Sequence, residues 1–142
     1  MNDSELNDQF TACERTNTTL SITSPDIASE EITRTLSIEP SRTKLKGDSY
    51  KGIEITKNGW FLSSETSVDS IDACDHIDWL FTQLKNKEEK IAELKARGCH
   101  VAIGCLWVSK YGRGGPILRE KQLFSLAKFR IPIGWDVWIE KK

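Results

Sequence analysis

Apolar and polar positions alternate or recur along the chain in a way that predicts eight elements. Phe10 to Ile22 is Thr-rich and ends with Thr18, Leu20 and Ile22 at alternate positions, the signature of a strand, with Arg15 to Asn17 as a polar interruption. Ser24-Pro25 carries the chemistry of a helix start, and Ala28, Ile32 and Leu36 then fall at i, i+4 and i+8, on one helical face. Glu39-Pro40 closes that helix, because a residue before proline avoids helical geometry. Ile53 to Thr56 alternates, Asn58-Gly59 supplies a hairpin turn, and Trp60 to Ser63 returns as an antiparallel strand. Ile71 to Arg97 is helical, with Ile77, Leu80, Phe81, Leu84, Ile91 and Leu94 on its stripe. Its charged stretch Lys85 to Lys90 is a place to kink or split, and Gly98 is the stop. His100 to Val108 is nearly all apolar and predicts a central strand covered on much of both faces. Arg119 to Phe129 reads as a helix with Leu123, Leu126 and Ala127 inward. Ile133, Trp135, Val137 and Ile139 form the inward side of a last strand.

The order β-α-β-β-α-β-α-β begins with the ferredoxin-like pattern. The expected fold class is therefore α+β: a ferredoxin-like β-α-β-β-α-β core extended by a C-terminal helix and strand. Its sheet should be mostly antiparallel, with about five strands and helices on one face. Residues 1–8 read as a loose tail and residues 9–142 as one domain. A chain of 142 residues buries enough surface to fold without a disulfide or metal.

Composition narrows the function classes. Lys plus Arg number 20 and Asp plus Glu 21, a balance that argues against a dedicated nucleic-acid binder. The polar start lacks the basic and apolar segments of a secretory signal, and no apolar run is long enough to span a membrane, so the expected location is cytoplasmic. Cys13, Cys74, Cys99 and Cys105 form no Cys-x-x-Cys pair and are expected as thiols. A zinc site would have to recruit His76 and His100 across the fold. No cofactor motif is present, and the expectation is none.

The candidate chemistry each has a plainer reading. Gly112-Arg113-Gly114-Gly115-Pro116 joins a strand to a helix, where backbone amides with Lys110, Arg113 and Arg119 could hold an anion. The plainer reading is a turn whose glycines supply positive φ. Asp69, Asp72, Asp75 and Asp78 recur every three residues and cluster carboxylates near one helical face. That suits a basic partner surface, or simply a solvated helix start. His76 sits among those acids, with no nucleophile evident beside it. Of five tryptophans, Trp60, Trp107 and Trp135 fit inward strand positions and Trp79 flanks a helical stripe. Trp138 shares the polar side of its strand with Asp136 and Glu140, and Phe61 opposes Trp60 and Leu62. Aromatics on the second face of a sheet mark either a binding surface or the underside of a covering segment. Arg42, Lys44, Lys46 and Lys51 beside Tyr50 could touch RNA or form a solvated loop.

Several of these pieces occur together in a known pattern: the helix end Ile32 to Pro40, Gly59-Trp60 to Ser64, Ile77-Asp78-Trp79-Leu80, Leu94 to Gly98, and Trp107 followed by Gly114-Gly115-Pro116. Over about residues 18 to 140 the chain resembles the bacterial family called domain of unknown function 4279. The resemblance brings no accepted activity and no catalytic residues. Small stand-alone bacterial domains of this kind include immunity proteins, which bind and block a toxin. The expected function is therefore a non-catalytic protein-binding domain of that type. Its candidate contacts are Asp69, Asp72, Asp75, Asp78, Phe61 and Trp138, and its partner another protein, such as a toxin with a basic surface. The alternative is a small-ligand or anion binder, or an enzyme, that uses the 112–116 loop.

Overall fold

The computed structural model describes residues 11–140, so the expected tail at residues 1–8 lies outside the described residues. Among the described residues, four helices and a mixed, mostly antiparallel five-stranded sheet make an α+β fold, joined by a separate two-stranded hairpin. The strands are β1 (Cys13–Ser24), β2 (Arg42–Lys44), β3 (Ser49–Tyr50), β4 (Ile53–Glu54), β5 (Asn58–Ser63), β6 (His100–Ser109) and β7 (Ile133–Ile139). The helices are α1 (Ser29–Leu36), α2 (Ala73–Gln83), α3 (Glu88–Ala96) and α4 (Glu120–Phe129). The main sheet runs β2-β5-β1-β6-β7, and every neighbour pair is antiparallel except β6 with β7. Its first four strands have the ferredoxin-like order. The α4 crossover then lays β7 parallel to β6, as a parallel pair requires.

All four helices pack on one face. Leu20, Ile22, Trp60, Leu62, Val101 and Ile103 rise from the sheet into one cluster with Ile32, Leu36, Leu80, Leu84, Ile91, Leu94, Leu126 and Phe129 from the helices. Trp60 fills the centre and donates its indole N–H to Thr33 Oγ1 at 3.1 Å, so its one polar atom is not left unpaired. A smaller cluster of Ala12, Cys13 and Trp107 extends this side towards the far end of β6.

The structure corrects several expectations. Asn58-Gly59 is not a hairpin turn. Asn58 opens β5, where its side chain accepts from the Lys46 amide at 2.9 Å and donates to the Ile27 carbonyl at 3.1 Å. The tight turn lies instead at Lys51-Gly52, both at positive φ (51° and 78°), and pairs β4 with β3. The strand beside β5 is Arg42–Lys44, from the stretch expected to be a loop. Ser24 does not begin a helix: its Oγ accepts from the amides of Asp26 and Ile27 and closes a turn, and α1 starts at Ser29. That helix ends at Leu36, where Ser37 turns left-handed (φ 56°), before Pro40 is reached. The long predicted helix splits where its charged stretch allowed, into α2 and α3, with Asn86 at φ 63° between them; this expectation needs no correction. In β1 the irregularity is a register shift between Cys13 and Arg15 rather than a break over residues 15–17. On β6 the helix-facing side is buried throughout, while on the other side Val108 is buried, Ala102 and Leu106 are half-buried and Gly104 is exposed. Trp135, Val137 and Ile139, expected inward, are exposed, as is Leu123 of α4. They are apolar by type, but β7 is an edge strand and nothing among the described residues is layered over its end.

Candidate functional site

No helix or strand among the described residues covers the face of the sheet turned away from the helices. β1 presents Asn17, Thr19, Ser21 and Thr23 there, all half-buried, because alternate residues of a strand share a face. Across the ladder Thr19 lies opposite Gly104, and Gly104 opposite Gly134. A Cβ on either glycine would meet nothing within 4 Å. These small residues leave a shallow trough. Its depression between β1 and β7 is about 320 Å³ and is bordered by Asp136. Two adjoining depressions share Asn17 with it. One contains Arg42 and Glu65, the other Glu14, Glu65 and Asp69.

Two aromatics stand at opposite sides of this face. Trp138 is 59% exposed and donates its indole N–H to Asp136 Oδ1 at 2.7 Å. Phe61 is on the same face but only 9% exposed. The Arg42 guanidinium lies 4.3 Å and the Lys44 ammonium 5.5 Å from its ring centre, both within cation–π range. The ring also lies over Gly59, where a Cβ would come within 2.6 Å of it. Part of the basic stretch thus serves as a lid on Phe61. Lys46 instead donates to the Pro25 carbonyl, and Lys51 lies over Tyr50.

The four aspartates do not form a common free surface. Asp72 caps α2 by accepting from the Cys74 amide at 2.9 Å and pairs with Arg119 at 3.5 Å. Asp78 accepts from Gln122 Nε2 at 2.8 Å and lies 3.5 Å from Lys121. Both tie α2 to α4. Asp75 accepts from Ser70 Oγ at 2.6 Å, and Asp69 alone borders the trough. Among the described residues no group of acids, histidines and cysteines is arranged to hold a metal ion.

The glycine-rich loop is pinned to Ser109 at its start. Ser109 Oγ accepts from the Arg113 amide at 3.0 Å and the Tyr111 amide at 3.3 Å, and donates to the Arg113 carbonyl at 2.7 Å. Gly112 (φ 74°) and Gly114 (φ 87°) provide the left-handed steps of this curl. The two amides are therefore spent on one hydroxyl. Lys110 and Arg113 reach solvent at its rim, while Arg119 is engaged by Asp72.

One constellation escaped the sequence reading. The Ser64 hydroxyl lies 2.7 Å from His76 Nδ1, and His76 Nε2 lies 2.8 Å from the Ser70 carbonyl. A carbonyl can only accept, so in the neutral ring Nε2 carries the proton and Nδ1 accepts from Ser64. Ser64 Oγ also accepts from the Thr18 amide at 2.9 Å. The geometry is that of a serine–histidine pair, but Ser64 is 0% and His76 1% exposed, so no substrate reaches it. The network fastens β1, the end of β5 and α2 together. Nothing in the sequence marks residues 64 and 76 as partners, because the fold alone brings them together.

The thiols offer no nucleophile either. Burial pushes Cys13 up to about 11, with Cys105 adding to the effect, and burial likewise pushes Cys74 up to about 11. Cys99 and Cys105 are raised for the same reason. A thiolate, the reactive form, is disfavoured at all four. His100 is exposed at the start of β6 while Cys99 is buried.

No helix among the described residues is long and apolar enough to cross a membrane. No curated protein and no solved structure matches the chain. A family model does match, over residues 14–140, which include every strand and helix described above. The chain belongs to the family described as Domain of unknown function (DUF4279).

Proposed function

We propose that this protein is a non-catalytic protein-binding domain, of the immunity type that binds and blocks a toxin, and that the uncovered sheet face is its contact surface. The observation that carries the reading is Trp138. It is 59% exposed, and its indole N–H is held by Asp136, which itself borders the trough. A large aromatic held in one orientation on an accessible face loses little conformational freedom on binding, which is how interface anchors work. Catalysis finds no comparable support: the serine–histidine pair is sealed, the thiols are buried, and the loop amides at Tyr111 and Arg113 are occupied.

The acids bordering the trough are Glu14, Glu65, Asp69 and Asp136, against Arg15 and Arg42. That balance favours a partner with a basic patch. The α2 aspartates contribute less than their spacing implied, since Asp72 and Asp78 are engaged by α4.

The test is affinity capture from the native cells with tagged wild type and Trp138→Ala. One stoichiometric protein retained by the wild type and lost by the variant is the expected result. The variant should change folding stability by less than about 0.5 kcal/mol, as for other surface substitutions. Capture that is equal for both proteins would remove Trp138 from the contact. A variant that unfolds would show that Trp138 is a structural residue.

A further inference from the structure

We propose that the free edge of β7 pairs antiparallel with β7 of a second copy, about a two-fold axis at Val137. This inference goes beyond the partner reading and does not depend on it.

The first observation is the direction of the backbone groups. Ile103 N–H donates to the Pro132 carbonyl at 2.9 Å, and Glu140 N–H donates to the Ser109 carbonyl at 3.1 Å. In a parallel ladder, alternate residues face the neighbouring strand. The even-numbered residues of β7 therefore face β6, and Ile133, Trp135, Val137 and Ile139 turn their N–H and C=O groups outward. Among the described residues β7 is last in the sheet order, with β6 as its one neighbour.

The second observation is that this edge lacks the usual protection. Between Ile133 and Ile139 there is no lysine, proline or bulge, and the single charge is Asp136. Trp135, Val137 and Ile139 are 46%, 54% and 62% exposed. A row of unpaired backbone groups flanked by apolar side chains is a template for another strand. A chain with net charge -1 does little to repel its own copy.

The third observation selects the partner and the register. In an antiparallel pair, outward-facing residues exchange hydrogen bonds with outward-facing residues. An axis perpendicular to the sheet also keeps like faces together. With Val137 on the axis, Val137 meets Val137, and Trp135 meets Ile139 twice, all on the helix side. On the open side Asp136 meets the partner's Trp138, and no carboxylate faces another. A shift that places Asp136 on the axis sets the two carboxylates directly opposite, which is unfavourable. Of these two registers, the one centred on Val137 keeps the carboxylates apart and sets apolar side chains opposite one another on the helix side. The result is a ten-stranded sheet with both open faces on the same side and both copies of Trp138 near the axis.

Sedimentation velocity of the full chain tests this. The expected species is a dimer of twice 16.1 kDa that dissociates on dilution. Val137→Pro removes an outward N–H that the monomer's ladder does not use, so the monomer should fold while dimerisation weakens by at least about tenfold. Ile139→Lys, at a residue that is exposed in the monomer, should weaken it as well. For the register, Val137→Cys should cross-link to itself under mild oxidation, since the four described cysteines are buried. Phe124→Cys on α4 should not. A wild type that stays monomeric at high concentration overturns the proposal, as does a dimer that survives both Val137→Pro and Ile139→Lys. A dimer in which Val137→Cys fails to cross-link overturns the register.

Discussion

Replacing Ser64 with alanine removes one oxygen and should cost far more than its size implies. Ser64 is fully buried and its hydroxyl serves two other buried groups. It accepts from the Thr18 amide at 2.9 Å and donates to His76 Nδ1 at 2.7 Å. Neither group has an alternative among the described contacts, since Thr18 is 0% and His76 1% exposed. An orphaned buried donor or acceptor costs about 1–3 kcal/mol. Two of them give a loss of about 2–6 kcal/mol, a large fraction of the roughly 5–15 kcal/mol that holds a typical domain folded. Equilibrium urea denaturation measures it: the midpoint should fall with the slope unchanged, because the same surface is exposed on unfolding. Ser63→Ala is the control. Its hydroxyl accepts only from the exposed Glu65 amide at 3.1 Å, so it should change stability by less than about 0.5 kcal/mol. A double-mutant cycle with His76→Leu should return a coupling of about 1 kcal/mol or more. A loss at Ser64 no larger than at Ser63 would refute the reasoning and show that the pocket admits water or relaxes around the missing oxygen.

Two further outcomes follow from the same structure. Gly59→Ala drives a Cβ to within 2.6 Å of the Phe61 ring and should cost about 1–3 kcal/mol in thermal or chemical denaturation. The cost should shrink in a Phe61→Ala background, where the ring is gone, and an equal cost in both backgrounds would point to backbone strain instead. Cys13 and Cys74 are raised from 9.0 to about 11 by burial, so the folded state keeps protons that the unfolded state releases. Their contribution to stability is fully present below pH 9.0 and is lost as pH rises towards about 11. Denaturation at stepped alkaline pH should show this fall, and a Cys13→Ala, Cys74→Ala variant should show less of it. Stability that is flat across that window would mean the thiols are already accessible.

Much of the fold was legible in the chain because it is written in periodicity. The stripe Ile77, Leu80, Leu84, Ile91 and Leu94 is fully buried, as its spacing demands. The alternation of Leu20 and Ile22 with small polar residues places the former under the helices and the latter on the open face. The glycine curl after β6 was legible as a turn, and its chemistry was not: only in three dimensions does Ser109 take the loop amides.

The errors share one cause. Local signals report what a backbone can do, and tertiary partners decide what it does. Asn58-Gly59 can make a hairpin, yet Asn58 satisfies a backbone amide and a carbonyl from two other segments, and the turn falls to Lys51-Gly52. The aspartates of α2 can form an acidic face, yet α4 supplies the donors that engage Asp72 and Asp78. Trp135, Val137 and Ile139 have the pattern of an inward face, but hydrophobicity specifies burial only where another layer exists. The sequence by itself determined the class of fold, the helix-facing residues and the absence of a signature motif. The tertiary structure alone decided which strand is an edge, which polar groups are sealed and which face stays open. Those depend on contacts between residues far apart in the chain, such as Ser64 with Thr18, which no local pattern encodes.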